Sequence, residues 1–400
     1  MMPQDRILLS MGTRPEIIKM APVYFELKNR GIKPILLHTG QHTDMASTLY
    51  DLFGMMPDYF IDLKRIVSSD KNAEHPPSCE LSQLSALLLQ RISTVMMTIN
   101  PSMVLVHGDT SSALMAAMAA FYQKRPVAHI EAGLRSHNEY NPFPEEKNRV
   151  LIGQLAQWHF APTSGAKQNL LAEGIDPTHI HMVGNTIVEA ARLGISKLAS
   201  YQSANNCILI EQLKPCLASQ RIVMVTMHRR ENQESNIKLI ARTVVEMLKQ
   251  HTDMCVVWPV HPNPKVENAV YSALEGAPAA ITERLHMTRP LDYPVLLWVL
   301  KNSWAVMTDS GGIQEEAAAL NIPVLVLRDT TERPEIIESG AGIMVGTRQK
   351  DILMQIEKLT QNPHTYRRMC EAKNPFGDGT SAASICDILL GKKAGEKKCA

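Results

Sequence analysis

Residues 103–133 read MVLVHGDTSSALMAAMAAFYQKRPVAHIEAG. An unbroken apolar run ends in Gly108-Asp109, a helical pattern follows over Ser111–Tyr122, and a second apolar run ends in Glu131. Runs without polar alternation belong to strands covered on both faces, which places this stretch in a mostly parallel sheet flanked by helices. Working outward, the same pairing recurs. Further apolar runs are ILLSM (7–11), PILLHTG (34–40) and HFAPT (159–163), with helical patterns over Glu16–Lys28 and Leu81–Ile99.

Between Ala190 and Arg221 the pattern loosens into Ser, Asn, Gln and Lys, with Pro215. It restarts with IVMVTMH (222–228), MCVVWPVH (254–261), AVMTDSG (305–311), PVLVLRD (323–329) and GIMVGT (342–347). This second strand–helix alternation predicts a second domain. The expected fold is α/β, with two Rossmann-like domains facing across a cleft. The first is assigned to residues 1–190 and the second to 191–375. The segment beginning NPFGDG has a helical apolar pattern, and a helix over 376–391 is expected to return to the first domain.

Composition narrows the function classes. The 400 residues are 45% apolar, ample for two cores, and carry 41 basic against 40 acidic side chains. A net charge of +1 offers no global field for nucleic acid or an anionic membrane, so a charged ligand must be held by local groups. No nucleic-acid partner and no membrane insertion are expected. The start MMPQDRILLS lacks the pattern of a signal peptide, and seven scattered cysteines without a CxxC pair suit a reducing cytoplasm. With no HExxH spacing either, no metal site is expected.

Every polar motif falls at the carboxyl end of an expected strand, where open parallel sheets bind ligands. Gly12-Thr13-Arg14-Pro15-Glu16 opens a helix that also carries Lys19. Free N–H groups at such a start attract an anion, although an ordinary strand–helix turn would look alike. Thr308-Asp309-Ser310-Gly311-Gly312 is a small, Gly-rich turn opening onto a helix with Glu316, a geometry that lets backbone approach phosphate oxygens. It is neither a Walker loop nor GxGxxG, and a simple capped helix is its bland alternative. Arg333, in the polar stretch after PVLV, is placed to neutralise a diphosphate. Asp109, Glu131, Glu145 and His228 form an acidic and histidine-bearing group suited to acid–base work, whereas each carboxylate alone would read as a cap or loop ion pair. His228 and His261 each end a strand of the second domain; His159 and His286 read as structural.

At these residues the chain resembles the non-hydrolysing UDP-N-acetylglucosamine 2-epimerases. GTRPEIIKMAP, LVHGDT, HIEAGLR, FPEEKNR, GNT, HRREN, HPNP, TDSGGIQEEA, VLVLRDTTERPE and NPFGDG match in order from Gly12 to Gly379. The resemblance implies a GT-B-like fold, no metal or redox cofactor, and a homodimer. It implies reversible inversion of carbon 2 of UDP-N-acetylglucosamine, giving UDP-N-acetylmannosamine as a precursor of bacterial surface polysaccharide. UDP would leave carbon 1, a 2-acetamidoglucal would form, and UDP would add back. Catalytic roles carry over to Asp109, Glu131, Glu145 and His228. Contacts to UDP carry over to Arg14, Lys19, His228, Ser310, Gly311, Gly312, Glu316 and Arg333. Gln41, Arg229 and His261 match parts of an activator site. The chain departs from the pattern at Asp44, over Lys64–Leu81, and at Leu296, where the family often packs a phenylalanine on the base.

Three other readings share this architecture. A hydrolysing 2-epimerase would release UDP and N-acetylmannosamine. A GT-B glycosyltransferase would use the same fold, although the chain has no DxD triplet. A non-catalytic sensor would have no use for the four acid–base groups together.

Overall fold

The structure, a computed structural model, describes residues 6–41, 46–63, 81–198, 204–227, 234–331 and 333–391. The chain forms two compact units: Met1–Leu193 with Phe376–Ala400, and Gly194–Pro375. The division falls inside the helix Ile187–Lys197.

The first unit holds seven strands: β1 (Ile7–Met11), β2 (Ile35–His38), β3 (Tyr59–Phe60), β4 (Met103–His107), β5 (Val127–Ile130), β6 (Trp158–Ala161) and β7 (Ile180–Met182). They lie in the order β3-β2-β1-β4-β5-β6-β7, every pair parallel. All residues of β1, β4 and β5 are buried, as their unbroken apolar runs require. The helix Ser111–Tyr122 joins β4 to β5 and buries Ala113, Ala116, Ala117, Ala119 and Ala120 completely. Those small side chains let it sit close to the sheet, and an added methylene or two there would cost about 1–3 kcal/mol. The Thr110 hydroxyl caps it by accepting from the Ala113 N–H at 3.0 Å.

The carboxyl-terminal segment belongs to this unit. Asn185 N–H donates to the Phe376 carbonyl at 2.7 Å, and the Ala382 N–H donates to Glu189 at 2.8 Å. The helix Ser381–Leu389 packs beside the helix Arg14–Asn29, whose following Arg30 reaches Asp387 at 2.5 Å and the Ala383 carbonyl at 3.0 Å.

The second unit holds β8 (Arg221–Thr226), β9 (Met254–Pro259), β10 (Leu285–Thr288), β11 (Ser303–Thr308), β12 (Val324–Val326) and β13 (Gly342–Met344). Their order is β10-β9-β8-β11-β12-β13, again all parallel. Its core gathers Val223, Val256, Trp258, Met307 and Leu325 from the strands with Ile240 and Val244 from the helix Glu234–Gln250.

The α/β class with two parallel sheets is therefore as expected. Two elements differ from the expectation. The loosened stretch before Arg221 contains a helix, Ala204–Ser219, with Pro215 inside it. Leu213 of that helix is fully buried, so packing of one apolar side outweighs the hydrogen bond that Pro215 cannot donate. Strand β10 was not foreseen either, because LHMT is short and only half-buried beyond Leu285. Among the described residues no helix is long and apolar enough to cross a membrane.

Candidate active site

In each sheet the strand order reverses direction at one place, and there the carboxyl-end loops part to leave room for a ligand. In the first unit the reversal lies between β1 and β4, whose loops carry Gly12-Thr13 and Gly108-Asp109. In the second it lies between β8 and β11, whose following residues are Met227 and Asp309-Ser310.

The β1 turn is tightly built. The Glu16 carboxylate is fully buried and accepts from the N–H groups of Gly12 and Thr13, both at 2.7 Å, and from the Thr13 and Thr110 hydroxyls at 2.9 and 2.6 Å. Burial raises its pKa despite these four donors. The free N–H groups expected at this turn are thus partly taken by the helix's own acid. Gly12 is needed for close approach, since a Cβ there would fall 2.0 Å from Thr39 Oγ1 and 2.5 Å from Ser112 Oγ. Gln41 joins the same cluster, its carbonyl oxygen accepting from Ser112 Oγ at 2.7 Å. Arg14 is half-buried at the first helical position.

Two carboxylates follow the adjacent strands β4 and β5. Asp109 accepts from Arg149 Nε at 2.7 Å, and its carbonyl accepts from Asn148 Nδ2 at 2.8 Å. Arg149 in turn donates to Glu146 at 3.0 Å. Burial raises the Glu146 carboxyl, but donation from the Ser136 and His137 backbone and from Arg149 outweighs it and leaves the pKa lowered. Glu131 is held by Lys19 through an ion pair and by Asn185 Nδ2 at 2.7 Å, with His107 Nε2 at 3.7 Å. Its backbone is left-handed (φ 62°), a conformation that costs a β-carbon residue about 1–3 kcal/mol unless its surroundings hold it. The network around the carboxylate supplies that hold. Glu145 opens the helix Glu145–Leu155 and, among the described residues, no hydrogen bond or ion pair engages its carboxylate. The paired acids of FPEEKNR thus divide: Glu146 braces the loop and Arg149, while Glu145 takes no part in that bracing.

Beneath these groups His129 donates from Nε2 to the Gly108 carbonyl at 2.7 Å, fixing the turn that carries Asp109. Burial pushes its pKa down to about 3, so it stays neutral and serves as a strut.

In the second unit Thr226 and Thr308 share a hydrogen bond of 2.6 Å between neighbouring strands, and the Ser310 N–H donates to Thr308 Oγ1 at 3.0 Å. Ser310 is the N-cap of the helix Gly311–Ala319, yet its side chain makes no cap bond. A Cβ on Gly312 would meet open space, so that glycine leaves the helix start approachable. Gln314, Glu315 and Glu316 are buried on this helix. Arg333 donates to Glu315 at 2.5 Å, and its N–H donates to Thr331 Oγ1 at 3.1 Å. The cation thereby has a fixed place near the Gly-rich turn. His261 is exposed after β9, its Nδ1 accepting from the Asn263 N–H at 3.2 Å. Leu296 is 5% exposed and forms part of its own unit's packing. His228 and Arg229, together with Asp44 and the stretch 64–80, lie outside the described residues.

Lys19 was read as a phosphate ligand; in the structure its ammonium pairs with Glu131. Sequence reading passed over Arg149, Glu146, His107 and Asn185. Two signals were available. Arg149 lies one helical turn after Glu146, and Asn185 is the centre of GNT.

Two doubly wound units, each with polar turns at its sheet's reversal point, define a protein of the α/β class whose ligands bind at such points. The family model described as UDP-N-acetylglucosamine 2-epimerase matches residues 26–390. A UDP-N-acetylglucosamine 2-epimerase of Salmonella borreze is 39% identical over 389 residues, covering 96% of this chain and 98% of that one. A crystal structure of the enzyme from Neisseria meningitidis bound to UDP-GlcNAc superposes with a TM-score of 0.83 at 36% identity, covering 97% of this chain and all (100%) of the other. The Methanocaldococcus jannaschii enzyme, in complex with UDP-GlcNAc and UDP, gives 0.75 at 31% identity, with 96% and 99% covered. The chain belongs to the UDP-N-acetylglucosamine 2-epimerase family.

Proposed function

We propose that this protein interconverts UDP-N-acetylglucosamine and UDP-N-acetylmannosamine without hydrolysis, by elimination and re-addition of UDP. The proton on carbon 2 has no adjacent carbonyl to acidify it, so its removal must be coupled to departure of a leaving group from carbon 1. The steps balance. A base takes the carbon 2 proton, the C–H electrons form the C1–C2 double bond, and the C1–O bond electrons leave with UDP. UDP then adds back to carbon 1 as a proton reaches the opposite face of carbon 2.

The observation that carries this reading is the bracing of Asp109 and Glu131 on adjacent strands, each by its own cation. Each pairing fixes the position of its carboxylate, and a fixed geometry costs no reorganisation during reaction. Glu145 adds a third acid–base group, and His228 is assigned there by the family likeness alone. The open start of the helix Gly311–Ala319, with Ser310, Gly312 and Arg333, supplies N–H groups and positive charge to the diphosphate as it departs. Glu316 and Arg14 are proposed as further UDP contacts. Lys19 acts by positioning Glu131. Gln41, Arg229 and His261 are proposed as the activator-binding set.

Proton NMR of the purified protein with UDP-N-acetylglucosamine in deuterium oxide tests the assignment. Two nucleotide sugars with deuterium at carbon 2 are expected. Free N-acetylmannosamine with UDP would establish the hydrolysing reaction instead, and unchanged substrate would remove the enzymatic reading.

A further inference from the structure

Cys216, Cys255 and His286 are far apart in sequence and lie together in the second unit. Cys255 is the second residue of β9 and His286 the second of β10. Because His286 pairs with Val257, two positions after Cys255, the two side chains leave the sheet on the same face. The helix Ala204–Ser219 brings Cys216 onto that face. Cys216 Sγ lies 3.9 Å from His286 Nε2, and the three donor atoms are all within 4.8 Å of one another.

We propose that these three side chains form a binding site for a soft divalent cation, and that zinc is the ion it fits. Zinc takes thiolate sulfur at about 2.3 Å and imidazole nitrogen at about 2.0–2.1 Å, which sets tetrahedral donor–donor edges of roughly 3.4–3.8 Å. The trio meets that spacing with a contraction of no more than about 1 Å. Two sulfurs and an imidazole select zinc over magnesium or calcium, which prefer oxygen. Cys255 is completely buried, whereas Cys216 and His286 are half-exposed, so an ion has a way in and a water can complete the fourth position. Burial lowers the His286 pKa and keeps the ring neutral, as a ligand must be. Burial, with Cys216 beside it, pushes the Cys255 thiol up to about 12, which makes it a poor nucleophile. On loading, both thiols give their protons to solvent and the metal takes their place.

The cluster sits at the amino ends of β9 and β10, the edge of the sheet opposite to the Gly-rich turn after β11. Its role is therefore to tie the helix Ala204–Ser219 to the edge strand β10.

The test uses the full chain, reduced and freed of metal with a chelator, then titrated with cobalt(II) as a spectroscopic probe. Thiolate-to-cobalt charge-transfer absorption is expected to saturate at one ion per chain and to be displaced by zinc. Zinc should also raise Tm, since the gathered trio binds it more tightly than the unfolded chain does. Cys216→Ser and His286→Gln should each abolish the sulfur-and-nitrogen spectrum, Cys370→Ser should keep it, and epimerisation should be unaffected in Cys216→Ser. Cys216→Ser and His286→Gln decide the matter without a change at the fully buried Cys255. Absence of charge transfer in the parent chain, or its survival in Cys216→Ser, overturns the proposal.

Discussion

At the scale of single residues, the site rests on paired charges rather than on isolated acids. Asp109 pairs with Arg149, which also serves Glu146, and Glu131 pairs with Lys19 and accepts a further bond from Asn185. We expect Asp109→Asn and Glu131→Gln to lower kcat by orders of magnitude while the affinity for UDP, measured by calorimetry, changes little. Near-normal turnover in both variants would remove the acid–base assignment. The carboxylates themselves were legible, since an acid directly after an apolar run in HGDT or HIEAG marks a strand end. Their partners were not. Nothing in the spacing of Lys19 tells whether its ammonium turns to a phosphate or to a carboxylate 112 positions away. That choice is made by the order of β1, β4 and β5 in the sheet, which is tertiary information.

At the scale of elements, two glycines at comparable strand–helix turns do different work. Gly12 lies where a Cβ would collide with two buried hydroxyls, and Gly312 lies where a Cβ would meet nothing. Gly12→Ala should therefore destabilise the fold by about 1–3 kcal/mol in denaturant unfolding, as overpacking does. Gly312→Ala should leave Tm unchanged yet raise KM, because the methyl obstructs backbone approach to the diphosphate. Equal stabilities of the two variants would show that the crowding around Gly12 relaxes freely. Elements with a strong period were readable from sequence: the helices Leu81–Ile99 and Ser111–Tyr122 run over the residues expected. The helix Ala204–Ser219 was not, because Pro215 and a polar opening are local signals for a break, and local signals lose to buried contacts such as that of Leu213.

At the scale of the whole molecule, two doubly wound units were legible because buried strands write themselves as unbroken apolar runs, and ten of the thirteen strands among the described residues carry one. The short or half-buried ones, β3, β7 and β10, have no such run to show. Burying the first sheet also leaves a signature in pH. His129 and His159 are driven down to about 3 and about 4, chiefly by burial. An unfolded chain takes up these protons near pH 6.5, whereas the folded chain withholds them, so over that window the unfolded state binds more protons. Their contribution to stability is constant above about pH 6.5 and falls as the pH drops toward 4. Denaturant midpoints at pH 7 and pH 5 should show this loss, and His129→Gln should lessen it; an identical slope in the variant would contradict the burial account.

With 41 basic and 40 acidic residues in near-balance, a diphosphate would have to be held by local groups, and departure and return of UDP is what those groups are proposed to serve. Positional isotope exchange measures that departure directly. With oxygen-18 placed in the bridge between carbon 1 and the β-phosphorus, elimination and re-addition predicts that label scrambles into the non-bridging β-phosphoryl oxygens as epimerisation proceeds. Full retention of the label in the bridge through many turnovers would contradict it.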